Sequence, residues 1–163
     1  MKKIIVLILL ILISQVLHAE ELPTSIYDIE LGDDINQIRA KYEQCSEPID
    51  EFTEGVRSVI CEIEGNIIGV SYYVDDQVVA ALQRFIESNV DTVMEQLTRK
   101  YGEANASLDT GAGKQRYWTD DKVRLIALDF TVLTPTTMVE IADVQAIEAH
   151  EKKTAQDALD VFE

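Results

Sequence analysis

A six-residue stretch occurs twice in this chain. Tyr73-Val74-Asp75-Asp76-Gln77-Val78 returns 45 residues later as Trp118-Thr119-Asp120-Asp121-Lys122-Val123. Each copy is an aromatic, then an acidic pair, then a run rich in Val, Leu, Ile and Ala. An acidic pair between β-rich runs signals a hairpin turn, because Asp tolerates φ > 0 and hydrogen-bonds its own backbone. Two such hairpins point to a repeated unit, and a repeat constrains the architecture more tightly than composition does.

A helix signal repeats as well. Gly32-Asp33-Asp34 offers an N-cap, and Leu31, Ile35, Ile38 and Tyr42 then recur along one face of a helix over about 34–44. Shifted by 59 residues, the same face reads Val90, Met94, Leu97 and Tyr101, with Gln37 and Lys41 becoming Gln96 and Lys100. Ser88 with Asp91 three later is a capping-box pattern, and Gly102 suits the residue that ends the second helix. From the Tyr to the acidic pair the first copy takes 33 residues and the second 19. The additional 14 in copy one fit an extra loop and strand.

Between these marks, 56–63, 67–74 and 77–86 read as strands, with Glu64-Gly65-Asn66 as a turn. Copy two has strands at 114–119, 122–133 and 136–142, with Thr134-Pro135 turning the last pair. Glu103 to Gly113 lacks an apolar period and reads as a flexible connection. A polar helix starts at Asp143. The predicted fold class is α+β: two tandem helix-plus-antiparallel-sheet units, 20–87 and 88–142, followed by a C-terminal helix over 143–163. The helices cover one face of a continuous sheet, since three-stranded pieces alone are marginal, and the other face is partly open.

Residues 1–19 read as a secretory signal rather than as part of the fold. Lys2 and Lys3 form a basic start, 4–13 is unbroken apolar, and Val16-Leu17-His18-Ala19 is a cleavage site before Glu20. Ten apolar residues fall short of the twenty or so a spanning helix needs. No integral membrane segment is therefore expected after cleavage, and the compartment is the periplasm. There Cys45 and Cys61, the two cysteines of the chain, are expected to pair. Their disulfide closes a loop of 15 intervening residues, a contribution of roughly 3 kcal/mol in the chain-entropy model.

The whole chain carries 14 basic and 30 acidic residues, and without Lys2 and Lys3 its formal charge is −18. Such a field repels nucleic acid and anionic lipid and favours a cationic partner or divalent ions.

Ile29-Glu30-Leu31-Gly32 leading into a helix, and Leu97-Thr98-Arg99-Lys100-Tyr101-Gly102-Glu103-Ala104 closing one, resemble the helix boundaries of small exported proteins of the SmpA/OmlA type. The tandem layout over 31–142 also resembles the beta-lactamase inhibitor protein. These likenesses imply a helix-plus-sheet repeat and, for the former, envelope assembly or housekeeping work. The lipid-anchoring Cys of the SmpA/OmlA group has no counterpart here, and no inhibitor contact residue carries over.

Catalytic motifs are absent: there is no nucleophile elbow, P-loop or HExxH pattern. His150 reads as a solvated position in a polar helix. No catalytic residue, metal ligand or cofactor is assigned, because turn and cap chemistry accounts for Asp33-Asp34, Asp75-Asp76 and Asp120-Asp121. The aromatics are different. Neighbours on a strand face opposite ways, so one of Tyr72 and Tyr73, and one of Tyr117 and Trp118, is expected on the open face. The predicted binding face is therefore Tyr72, Tyr73, Asp75, Asp76, Tyr117, Trp118, Asp120 and Asp121. The function expected from this is a non-enzymatic protein-binding module, an inhibitor or immunity protein for a cationic envelope-acting protein. Alternatives are an envelope assembly factor and an acid/base hydrolase using paired carboxylates.

Overall fold

The computed structural model describes residues 19–51, 55–73, 79–86, 89–110, 113–129 and 137–160. Helix α1 (Ile35–Lys41) opens where the acidic pair allows it: Asp34 is the N-cap, its Oδ1 accepting the Asn36 N–H at 2.7 Å. The neighbouring Asp33 carboxylate accepts from Glu30 N at 2.9 Å. Ile35 and Ile38 are buried and Tyr42 packs beside them. Helix α2 (Val90–Tyr101) presents Val90 and Met94 to the same core, with Leu97 and Tyr101 at its margin. Its cap is Asn89, whose Oδ1 accepts the Asp91 N–H at 2.8 Å, while Ser88 lies outside the described residues. Gly102 ends the helix at φ 82°, a left-handed conformation that glycine adopts without a Cβ penalty.

A two-stranded ribbon, β1 (Ser25–Ile26) with β2 (Ile29–Glu30), precedes α1. The remaining strands are β3 (Ile49–Asp50), β4 (Val56–Ile63), β5 (Asn66–Tyr73), β6 (Val79–Ile86), β7 (Ala106–Thr110), β8 (Gly113–Thr119), β9 (Val123–Asp129) and β10 (Thr137–Asp143). They form one antiparallel sheet in the order β3-β4-β5-β6-β10-β9-β8-β7. Among the described residues each unit thus contributes a helix and four strands of this sheet, and the units meet along β6 and β10.

The registers show how the units correspond. Val59 opposite Val70 becomes, 57 residues on, Arg116 opposite Ala127. Val70 opposite Leu82 becomes Ala127 opposite Val139. At the seam Gln83 faces Glu140, its own equivalent under that shift, so a local two-fold passes between them. This corrects two expectations. Among the described residues the units have equal numbers of strands in the sheet, and the acidic pairs do not fall between corresponding strands. Asp120-Asp121 lies between β8 and β9, whose counterparts β4 and β5 are joined by Glu64-Gly65. Asp75-Asp76 follows β5 in sequence and lies outside the described residues. The stretch expected to be a flexible connection contains β7, an edge strand.

Alternation along the strands separates two faces. Val59, Cys61, Ile63, Ile68, Val70, Tyr72, Trp118, Leu125, Ala127 and Ile141 point toward α1 and α2 and form the core. The opposite face is not open throughout. Helix α3 (Val144–Asp160) begins with Asp143 Oδ1 accepting the Ala146 N–H at 2.9 Å and packs across that face. Its His150 ring stacks on Tyr73 with centroids 4.2 Å apart and planes 17° from parallel. His150 is therefore a packing residue, half-buried, rather than the solvated one expected from its polar neighbours.

Gly55 makes room for that stack. It sits at φ +75°, and a Cβ there would come 2.9 Å from His150 Cε1. Gly65 has the same φ, with nothing within 4 Å of its added Cβ. Gly55→Ala is expected to lower stability by about 2 kcal/mol and Gly65→Ala by about 1 kcal/mol, strain being common to both and the α3 contact peculiar to the first. Urea titrations of the two variants measure this, and equal losses would show that the contact costs nothing.

Candidate binding site

Of the residues expected to form the binding face, Asp75 and Asp76 lie outside the described residues, and the other six do not form one exposed surface. Tyr72 and Trp118 stand in the helix-facing core, 5% and 2% exposed. Tyr73 does point to the opposite face, but α3 covers it and it is 6% exposed. Burial raises its phenol above the ordinary tyrosine value, with Glu151 and Asp143 adding to the shift. Tyr117 is half-buried, its hydroxyl bonded to Gln115 Oε1. Asp120 is spent on the turn: its Oδ1 accepts the Lys122 and Val123 N–H groups, both at 2.7 Å. Asp121 is exposed beside it and accepts from Gln145 Nε2 of α3 at 3.3 Å through its carbonyl.

Aromatics ringed by carboxylates do occur, elsewhere. Three segments meet at the end of the first unit: the β1–β2 turn with Tyr27 and Asp28, the end of α1 with Lys41 and Tyr42, and the β4–β5 turn with Glu62, Ile63 and Glu64. Between them is a cleft of about 420 Å³. Ile63 is buried and forms its floor, Tyr27 and Tyr42 are half-buried walls, and Asp28, Glu62 and Glu64 are exposed.

Two of these residues hold an unusual backbone. Tyr27 has φ 56° and Glu64 φ 51°, and among the described residues they are the two non-glycines with positive φ. Ile63 pairs with Asn66 across Glu64-Gly65, both at positive φ, the tight hairpin whose twist matches its strands. A bulky residue held there costs on the order of 1 kcal/mol, and such strain concentrates at ligand clamps.

Charge in the cleft is already organised. Asp28 accepts from Lys41 Nζ and from the Tyr42 hydroxyl. The Lys41 bond first, then the Tyr42 bond, lowers its carboxyl to about 2. Its pairing therefore supports the fold fully above the ordinary carboxylate range and is lost as pH falls toward 2. Lys41 is raised chiefly by Asp28, and Tyr42 by burial and then by Asp28. Lys41 Nζ stands 5.3 Å from the centre of the Tyr42 ring, an ammonium against an aromatic face beside the cleft.

A larger groove of about 810 Å³ runs between α2 and β8, lined by Asp91, Met94, Arg99, Gly102, Arg116 and Ala19 among others. Size does not make it the better site. Four of its five charged lining groups pair with one another or with close neighbours, Arg116 with Asp109, Asp91 with Lys114 at 2.6 Å and Arg99 with Glu95 at 3.7 Å, against one of the three carboxylates in the cleft, Asp28. Its walls carry no aromatic side chain, and Ala19 belongs to the segment read as a leader.

The cleft was missed in the sequence because its parts lie at 27–28, 41–42 and 62–64, with no common spacing. The available signal was the two-residue turn Glu64-Gly65.

No protein-family model matches this chain, and no curated protein matches it. Among solved structures it is similar to a DUF4309 family protein, YjgB, of Bacillus subtilis. The TM-score is 0.52 at 13% identity, over 78% of this chain and 89% of that one. A cysteine-rich secretory protein of Staphylococcus aureus aligns with TM-score 0.44 at 10% identity, over 71% of this chain and 45% of that one. The likeness to the Bacillus protein is one of fold.

Proposed function

We propose that this is an exported, non-enzymatic protein-binding module of the periplasm whose cleft takes a lysine or arginine side chain of a cationic partner. The partner would be an envelope-acting protein that the module inhibits or neutralises. The observation that carries the reading is the cleft: three exposed carboxylates around two tyrosine rings, built on two strained turns. Export is supported by the leader-like 1–19 and by the Cys45–Cys61 disulfide, with S–S at 2.05 Å. Among the described residues no helix is long and apolar enough to cross a membrane. The net charge draws a cationic partner in, and the cleft fixes where it docks.

Exposed ion pairs are individually weak, so neutralising all three carboxylates together should cost about tenfold in affinity. Asp28→Asn, Glu62→Gln and Glu64→Gln combined should weaken binding of an oligolysine peptide about tenfold at low ionic strength. A control variant with Asp33→Asn, Glu43→Gln and Glu95→Gln, equal in charge but outside the cleft, should weaken it much less. Isothermal titration of both against the parent protein decides. Equal losses would reduce the effect to net charge and remove the cleft from the account.

A further inference from the structure

The segment before β1 is anchored on the last turn of α2. The Glu20 backbone N–H donates to Lys100 O at 2.9 Å, and Lys100 Nζ lies 3.4 Å from the Glu20 carboxylate. Lys100 O is one of the four final carbonyls that no N–H within a helix can reach. One residue earlier, Ala19 packs over the helix end: a Cβ added at Gly102 would meet the Ala19 Cβ at 3.5 Å, and Ala19 lines the groove beside α2. The bond between Ala19 and Glu20 is also the one the leader pattern marks for cleavage.

We propose that hydrolysis of the Ala19–Glu20 bond is a maturation step that seats the new amino terminus on the C-terminal turn of α2. It rests on the reading that the chain is exported. Water adds across the amide: Ala19 leaves on the leader as a carboxylate, and Glu20 keeps the nitrogen, which takes a proton as an α-ammonium. The nitrogen already bonded to Lys100 O then carries a full positive charge at the negative end of the helix dipole, with two more hydrogens to donate. Departure of Ala19 uncovers Gly102 and opens one end of the groove.

The charged groups around the seat are the Glu20 carboxylate and Lys100 on the turn itself. Glu103, Arg99 and Glu95 lie on the adjoining groove wall, with Tyr101 next to Lys100 and with Asp91 and Arg116 farther along. The two cations, Lys100 and Arg99, oppose the new charge, while Glu20, Glu103, Glu95 and the helix end favour it. A free α-amine titrates near 8. Seated here it should hold its proton to higher pH, so its support is full below that value and lost as pH rises through the folded one.

The test compares two forms. One is the protein exported with its own leader in a Gram-negative host, its amino terminus read by intact mass. The other is oxidised protein that keeps Met-Ala before Glu20, and so carries an amine of equal charge displaced from the turn. The exported form should begin at Glu20 and melt about 1–4 °C higher at pH 6.5, with the difference gone by pH 10. An amino terminus elsewhere would overturn the processing step and the export reading at this bond together. A terminus at Glu20 with equal melting temperatures, or with a difference that ignores pH, would overturn the seat and leave export standing.

Discussion

Removing the Cys45–Cys61 disulfide, by reduction or by replacing both cysteines with alanine, is expected to lower the unfolding free energy by roughly 3 kcal/mol. The bridge joins the segment after α1 to β4 across a sequence separation of 16. Without it the denatured chain gains the freedom of that loop. The native state keeps part of the attachment, because Ser46 N still donates to Ile60 O at 2.8 Å and Glu62 N to Gln44 O at 3.1 Å. The reduced protein should therefore remain folded and lose midpoint rather than shape. Urea unfolding with and without reductant measures it, followed by the fluorescence of Trp118, the sole tryptophan. Coincident curves would mean that the crosslink constrains nothing the folded chain does not already hold.

Trp118→Ala should cost more, about 3–5 kcal/mol. The indole lies in the core, and its Nε1–H donates to Gly102 O at 2.8 Å, closing the end of α2 onto β8. Under the shift of 57 that relates the strand ladders, Cys61 corresponds to Trp118 and Cys45 to Gly102. The place held by a covalent bridge in the first unit is thus held by a hydrogen bond and a large ring in the second. Trp118→Phe separates the two contributions, since it keeps most of the apolar volume and leaves the carbonyl without its donor, a loss of about 1–2 kcal/mol. Circular dichroism during urea unfolding follows both variants. A loss near 1 kcal/mol for the alanine variant would contradict the role given to the ring.

Much of the fold was legible because its signals are local. The apolar faces of α1 and α2, the Asp34 cap, Gly102, the cysteine pairing and strands such as β4 each follow from residues close in sequence. The recurrence at 45 residues misled because Asp-Asp is common turn chemistry: it marks a kind of turn, not a particular hairpin. The true correspondence at 57 is carried by register, and its equivalent positions hold different residues, Val59 against Arg116 and Cys61 against Trp118. Strand β7 was hidden because an edge strand needs no buried face, and Leu108 is its one large apolar residue. The site was read least well. Strand alternation correctly placed Tyr72 and Tyr73 on opposite faces, but the cover over Tyr73 comes from a ring stack in a polar helix, which leaves no periodicity to find.

An open sheet of eight strands has two raw edges, and each is a place where another chain could add a strand. Here β3 offers two residues and β7 five. On β7 the Asp109 carboxylate is tied across to Arg116 on the neighbouring strand. Both edges carry an exposed apolar side chain, Ile49 on one and Leu108 on the other. Extension of one molecule's sheet by the next is opposed by the brevity of β3 and by the mutual repulsion of strongly acidic copies. The acidity on which the proposed basic partner depends also opposes contact between copies of the protein.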